Sequence, residues 1–271
     1  MALTAFQCEV LRTLSVNRLA NSESYVAGGL ALNYRLRTPR LSRDIDVFHD
    51  SKDALFKSWF ADRDTLTLNG YVVRPLRELP TFVEADVSRN GEHTEIQWGT
   101  DSAYRFFPIS EDPVVGLTLH PLDLAANKLS ALVGRTEPRD WIDVITRVKN
   151  LQPLAFLLSA ACGKDPGFSP TSMLEYIARR RYTQEEIDEK IIPKGCFATG
   201  ELCAFWREEV ERARKTLEIF PHAEAGKAVM TKTGELFKGG DAEFSAARAA
   251  GDIIFHEGHL GGVWPRILDE R

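Results

Sequence analysis

Tyr25-Val-Ala-Gly-Gly-Leu-Ala-Leu32 is an apolar run broken by Gly28 and Gly29. It is followed by Leu41-Ser-Arg-Asp-Ile-Asp-Val-Phe48, in which Asp44 and Asp46 alternate with apolar residues. Residues 25–27 predict a short strand, the glycine pair a tight turn, and residues 30–36 a helix that starts from that turn. A loop over residues 37–43, containing Pro39, then leads to a strand over residues 45–48. Positions i and i+2 of a strand point to the same face, so Asp44 and Asp46 present two carboxylates side by side. No other stretch narrows the choice of fold so far: a strand, a glycine turn, a helix and a second strand with a polar face must all close within a few tens of residues.

The rest of the front half continues as mixed α and β structure. Leu3, Phe6, Val10 and Leu14 recur at helical spacing and predict an amphipathic helix over residues 3–20, and a further helix is expected over residues 51–61. From Tyr71 to His120 the pattern is β. Phe82, Glu84 and Asp86 alternate with Val83, Ala85 and Val87, and Asn90-Gly91 is a strong hairpin turn. Residues 95–98, 104–107 and 116–119 supply further strands. Pro121 suits the first turn of a helix over residues 121–133, and another helix runs over residues 139–148. Beyond residue 150 helices joined by Pro- and Gly-containing loops take over, the best defined over residues 200–220, with a small hairpin expected over residues 228–238. The chain therefore reads as α+β over residues 1–150 and mainly helical over residues 151–271.

At 271 residues the chain can bury a substantial core. No apolar run approaches the roughly 20 residues needed to span a bilayer. The N-terminus lacks the pattern of a secretory leader, so a cytoplasmic location is expected. The net charge of -5 excludes a generally basic nucleic-acid binder. Arginines nevertheless cluster at Arg35, Arg37, Arg40 and Arg43 and at Arg179–Arg181, where a local basic surface or an ordinary solvated one would serve equally. Cys8, Cys162, Cys196 and Cys203 show no Cys-x-x-Cys spacing, which argues against structural zinc or a disulfide framework.

Two constellations carry chemistry. Glycines let a backbone approach a triphosphate without a Cβ clash, and a glycine turn at a helix N-terminus favours phosphate. Magnesium takes oxygen ligands, typically carboxylates together with substrate phosphates. A phosphate cradle at Gly28-Gly29 followed by a metal-binding Asp44-x-Asp46 points to nucleotidyl transfer; a plain turn with two surface aspartates is the alternative. The second constellation is His120-Pro-Leu-Asp-Leu-Ala-Ala-Asn-Lys-Leu-Ser-Ala-Leu132 with Gly134-Arg-Thr-Glu-Pro-Arg-Asp-Trp-Ile-Asp143. Leu122, Ala125, Leu129 and Leu132 form an apolar stripe, and Lys128 lies beside it instead of opposite. Arg139, Asp140 and Asp143 open the next helix, where acidic residues also suit the macrodipole and a Lys128–Asp140 salt bridge would be structural.

Gly-Gly-Leu-Ala-Leu, then Arg-Asp-Ile-Asp-Val-Phe, then Asp-Leu-Ala-x-Asn-Lys-Leu-x-Ala-Leu with Arg-x-x-x-Arg-Asp-x-x-Asp, resembles the AbiEii-like nucleotidyltransferase family. Its members are toxin components of type IV toxin–antitoxin and phage abortive-infection systems. Asp101-Ser-Ala-Tyr-Arg-Phe-Phe-Pro108 resembles the family too, and the motifs span about residues 20–150 in the right order. The resemblance implies a polymerase β-like nucleotidyltransferase core, a small mixed sheet flanked by helices, with a mainly helical C-terminal region. It implies that Gly28 and Gly29 cradle the triphosphate, that Asp44 and Asp46 hold Mg2+ (or Mn2+), and that Lys128 contacts nucleotide phosphates. Asp140 would support the site, with Arg139 and Asp143 nearby, and Arg43 would bind phosphate or make a salt bridge. The implied reaction is attack of an acceptor hydroxyl on the α-phosphate of an NTP, with RNA, and tRNA foremost, as acceptor and a cognate antitoxin as partner.

The chain departs from the superfamily pattern in two places. Gly29 stands where serine is common, which removes a hydroxyl. The third carboxylate, normally on a later strand, has no obvious representative: Gln97 cannot act as a base, and Asp101 is favoured over Glu95, Glu84 and Asp86. If none converges, the chain binds nucleotide or a partner without efficient transfer. A nucleotidyltransferase acting on a small molecule such as an antibiotic is the remaining reading.

Overall fold

The computed structural model describes residues 3–21, 24–36, 40–42 and 44–260. The chain divides into two units, one of residues 1–120 with 259–271 and one of residues 121–258. That divide precedes the border at residue 150 drawn from composition. Among the described residues no helix is long and apolar enough to cross a membrane.

The first unit carries α1 (Ala5–Asn21), β1 (Tyr25–Val26), α2 (Gly28–Leu36), β2 (Asp44–His49), α3 (Lys52–Leu68), β3 (Val72–Leu79), β4 (Phe82–Arg89), β5 (Glu92–Thr100), β6 (Ser110–Asp112) and β7 (Gly116–Thr118). The strands form one mixed sheet in the order β3-β4-β5-β2-β1-β7-β6. β2 runs parallel to β5 and antiparallel to β1, and β1 runs parallel to β7. Strict alternation on β2 and β4 sends Ile45, Val47, Val83, Ala85 and Val87 to one face, where all are fully buried. α1 and α3 supply Val10, Leu11, Leu14, Leu55, Trp59 and Leu66 to the unit's core, and Trp59 meets Trp98 edge-on at 4.8 Å. The opposite face carries the polar residues of the same strands. Asn90 and Gly91 both take positive φ, 53° and 84°, which closes the β4–β5 hairpin as a primed turn.

One expected strand is absent in this unit, and one strand that forms is unexpected. Residues 104–107 form no strand, although Arg105 makes a single bridge to His259. Their alternation reflects a buried Arg105, which pairs with Asp50 and lies 4.8 Å over the Tyr25 ring. β6, three polar residues paired with β7, carries no apolar signal to find.

The second unit contains α4 (Pro121–Gly134), α5 (Pro138–Asn150), α6 (Leu154–Lys164), α7 (Pro170–Ala178), α8 (Gln184–Lys190), α9 (Thr199–Ile219), β8 (Ala228–Thr231), α10 (Asp241–Ala249) and β9 (Ile253–His256). α6 is buried from Leu154 to Cys162, as a helix apolar all round must be. Lys164 at its end forms a 3.0 Å ion pair with buried Asp123 of α4. The hairpin expected over residues 228–238 closes as a minimal one, with Thr231 N–H donating to the Glu235 carbonyl and Phe237 N–H to the Val229 carbonyl, while the longer ladder lies elsewhere. β8 pairs along its length with β9, and Met230 makes an antiparallel bridge to Leu236 within the local turn. Gly239 and Gly240 end the return segment at the start of α10, while β9 offers Phe255 to a cluster with Phe220 and Phe244.

Candidate functional site

Asp44 and Asp46 occupy the sheet face opposite the core, half-exposed, while Ile45 and Val47 between them are buried. Their Cα atoms are about 6.6 Å apart at strand rise. Ala27 N–H donates to the Asp46 carbonyl at 3.1 Å, which fixes the end of β1 against β2. Gly28 follows with φ +64°, and a Cβ there would stand 2.8 Å from Asp46 Cβ and closer still to the carboxylate. The Asp46 carboxylate thus fills the space that any other residue at 28 would need. It stands at the first turn of α2, where free backbone N–H groups and the helix dipole favour negative charge.

Gly29 has a different neighbour. A Cβ there would lie 2.8 Å from Arg40 Nη2 and 3.4 Å from Ser42 Oγ. The Ser42 hydroxyl donates to Asp44 Oδ1 at 3.2 Å, and Gln7 Nε2 of α1 donates to the Ser42 carbonyl at 3.0 Å. A hydroxyl therefore stands beside the glycine turn after all, contributed by Ser42 and not by position 29. Arg40 is buried, so it is no part of a surface arginine cluster. Sequence reasoning missed Gln7, Arg40 and Ser42 as neighbours of the turn, because the contacts join residues that no short-range pattern relates. Arg43 and Arg37 lie outside the described residues.

Register decides where a third carboxylate can stand. In the parallel β2–β5 pair, Asp44 faces Glu95 and Asp46 faces Gln97. Across β5, Glu95 faces Asp86 and Gln97 faces Glu84. Asp101 does not join the pair: it lies beyond β5, its N–H donates to the His49 carbonyl, and its Oδ1 accepts from Ser102 N–H. It is four residue steps along the chain from Gln97, about 13 Å at strand rise. Glu95 is the carboxylate directly across from Asp44. Glu84 accepts from Gln97 Nε2 at 3.0 Å, and Asp86 meets His93 Nδ1 at 3.2 Å. Among the described residues, no group of three or more His, Cys, Asp or Glu side chains is gathered tightly enough to hold a metal ion. Two hard carboxylates beside a glycine turn still fit Mg2+, which commonly binds through one or two carboxylates and completes its shell with phosphate and water.

On the core side of β2, His49 is fully buried and bonds the Gly99 carbonyl through Nδ1 at 3.0 Å. Burial, with Arg18 adding to it and the Gly99 bond opposing, lowers its pKa to about 4. Arg18 and Asp62 form a buried ion pair at 3.5 Å, and Asp62 accepts from Trp98 Nε1 at 2.9 Å.

The second unit holds the other expected residues. Lys128 of α4 donates to Asp140 Oδ1 at 3.0 Å and lies 3.5 Å from Asp143 Oδ2. Arg135 Nε donates to Asp140 Oδ2 at 2.7 Å, and its Nη2 to Oδ1 at 3.2 Å. Burial pushes the Asp140 pKa up, but Lys128 and Arg135 together hold it below the usual carboxylate range. Asp140 sits in the first turn of α5, behind Pro138, as the sequence pattern requires. Arg139 follows Pro138 in the same turn, its Nε buried without a hydrogen-bond partner among the described residues. Arg135 is the member that sequence reasoning passed over. It follows the last residue of α4, and only the fold shows that it grips both oxygens of the carboxylate, sharing Oδ1 with Lys128.

Residues 10–155 match the family model described as nucleotidyl transferase AbiEii toxin, type IV TA system. No curated protein matches the chain in sequence. Among solved structures it is similar to JHP933 from Helicobacter pylori, with 18% identity, a TM-score of 0.51, and coverage of 80% of this chain and 95% of that one. It is also similar to MenT4, a nucleotidyltransferase toxin from Mycobacterium tuberculosis H37Rv, with 12% identity, a TM-score of 0.46, and coverage of 76% and 83% respectively.

Proposed function

Because the chain belongs to the AbiEii family of nucleotidyltransferase toxins of type IV toxin–antitoxin systems, we propose that it transfers a nucleoside monophosphate from an NTP to the terminal hydroxyl of an RNA, tRNA foremost, and releases pyrophosphate. Family membership implies nucleotide substrates and an antitoxin partner. The observation that carries the reading is the packing of the Asp46 carboxylate into the Cβ space of Gly28. It joins the glycine turn and the second aspartate into one unit at a helix N-terminus, which is where a triphosphate and its counter-ion belong.

Asp44 and Asp46 would hold Mg2+, or Mn2+ in its place, and a bound ion there supplies charge neutralisation of the phosphates. The backbone of Gly28 and Gly29 receives the phosphates without side-chain interference. Glu95 takes the proton of the acceptor hydroxyl as its oxygen bonds to the α-phosphorus and the bond to the β-phosphate bridging oxygen breaks. In the second unit, Lys128 is the residue that the family motif assigns to the nucleotide phosphates, with Arg139 nearby on α5. Asp140, held by Arg135, fixes the Lys128 ammonium, and Asp143 shares it. Positioning and electrostatics account for most of the acceleration in this chemistry.

A second reading, nucleotide binding without transfer, draws on the loose spacing of the carboxylates. A small-molecule acceptor is a third. The experiment is transfer of α-labelled NTPs by the purified protein with Mg2+ and total cellular RNA, wild type against Asp46→Ala. Label on RNA with the wild type alone supports the proposal. Mg2+-dependent NTP binding without label on RNA favours the other readings, and absence of NTP binding refutes all three.

A further inference from the structure

The sheet register aligns more than the carboxylates. Asp46, Gln97, Glu84 and Arg77 form one row across β2, β5, β4 and β3, and Asp44, Glu95, Asp86 and Arg74 form the next. Both rows lie on the open face and end on the edge strand in an exposed arginine. Three strand spacings separate each arginine from its aspartate, about 14 Å. Neither arginine forms an ion pair with a described residue, although each faces a carboxylate. Glu84 is engaged by Gln97 and Asp86 by His93, so the two guanidinium groups are left for an external anion.

A third row beside these is apolar and aromatic: Phe48, Gly99, Phe82 and Leu79. The Phe48 ring lies over Gly99, 3.3 Å from where a Cβ would stand, and the Arg77 guanidinium lies 5.9 Å over the Phe82 ring. Phe48 and Phe82 are both partly exposed. Cationic edge and aromatic surface together are what a single-stranded nucleic acid requires: charge for its backbone and flat apolar faces for its bases.

Resting on the nucleotidyltransferase reading above, we infer that the open face between the Asp44/Asp46 pair and β3 is the acceptor track. A single-stranded RNA crosses it with its terminal hydroxyl at the aspartate end, one backbone phosphate at Arg74 and the next at Arg77, and an unstacked base against Phe82 and Phe48. The edge strand suits this task. Pro75 and the register shift between Pro75 and Arg77 block pairing with another strand, so β3 presents side chains outward without inviting sheet extension.

The test is fluorescence-anisotropy titration of a 5′-labelled single-stranded oligoribonucleotide against the full chain, over a range of salt. Variants are R74E/R77E, R74K/R77K, F82A and, as a charge control in the second unit, K190E/K232E. The arginine reversal is expected to weaken binding at least tenfold. It should also reduce the slope of log K against log salt by about 1.4, two single-strand phosphate contacts. The lysine variant keeps most of the affinity, the control stays within about twofold, and F82A loses about fivefold without change of salt slope. Mg2+–NTP binding is unaffected in all four. Wild-type affinity in R74E/R77E, an equal loss in the control, or no binding of the strand by the wild type overturns the inference, the last leaving the arginine edge to a protein partner. Transfer is scored separately: strand binding that obeys these rules without label transfer to RNA refutes the catalytic reading and leaves the track standing.

Discussion

Replacing Gly28 by alanine perturbs the candidate site at one atom, and the structure sets the size of the effect. Position 28 has φ +64°, a left-handed conformation that costs an L-residue about 1–2 kcal/mol. The new Cβ would stand 2.8 Å from Asp46 Cβ and nearer its carboxylate, whereas carbon atoms rest at about 3.5 Å. The Asp46 side chain must therefore retreat by about 1 Å or more. A misplacement of that order costs about 100-fold in rate, or about 2.7 kcal/mol at the transition state. The expected result for Gly28→Ala is a loss of about 1–2 kcal/mol in urea unfolding and at least 100-fold in kcat/KM for transfer from α-labelled NTP. Gly29→Ala is the control. Its φ is not left-handed, and its Cβ meets the terminal nitrogen of Arg40, the far end of a side chain that can shift. It should stay within about fivefold of wild type on the same scale. Gly28→Ala with kcat/KM within threefold of wild type would refute the claim that this contact sets the Asp46 carboxylate, and equal losses at both positions would refute its specificity.

Three other outcomes follow from the same geometry. Glu95→Gln should lower kcat about 100-fold or more with the NTP KM nearly unchanged, and Asp101→Asn should stay within about threefold, because only Glu95 faces Asp44 across the strands; the reverse ranking in steady-state kinetics would restore Asp101. Asp140→Ala should destabilise the fold by about 3 kcal/mol by stripping a buried partner from Lys128 and Arg135. Since Asp140 titrates below its ordinary value, that deficit, read by urea midpoints, is constant above about pH 4 and shrinks only as pH falls through the lowered pKa. His49, at about 4 when folded against 6.5 unfolded, works on the acid side of neutrality. The unfolded chain gains the proton first, so stability falls as pH drops below 6.5, by about 2 kcal/mol between pH 7 and pH 5. His49→Gln should flatten that slope, and an unchanged slope would show that His49 does not titrate as its burial demands.

The sequence made the elements legible wherever a short-range signal sufficed. Alternation on β4, the Asn90-Gly91 turn and Pro138 at the start of α5 each act within a few residues, and each element is present in the expected place. The face shared by Asp44 and Asp46 follows from strand periodicity in the same way. Register was another matter. Whether Glu95 or Asp101 stands beside the pair depends on how β5 pairs with β2, and a whole helix and hairpin separate them in sequence. Alternation supplies the parity of a residue but not its position along the neighbouring strand. The pairing of β8 with β9 escaped for the same reason, since the nearer segment also had turn residues. Residues 104–107 misled differently: a buried arginine between aromatic residues imitates strand alternation, although its burial comes from the Asp50 ion pair and the Tyr25 ring.

The strand that carries the carboxylates also explains why the fold and the proposed chemistry cannot be tuned apart. Ile45 and Val47 are fully buried between Asp44, Asp46 and Phe48, so β2 has one register that satisfies the core. A slip of one residue would bury both carboxylates and expose both aliphatic side chains, at a cost of several kcal/mol for each charge alone. The same register sets Glu95 and Gln97 opposite the pair, and through β4 it sets Arg74 and Arg77 at the far edge. The residues proposed as metal pair, base and acceptor track are therefore held by one pattern of apolar residues on the hidden face of the sheet. A conservative cavity such as Val47→Ala touches none of the polar residues, yet it loosens the strand on which both aspartates stand. It should lower transfer more than a cavity of equal size in α6, a helix of the second unit.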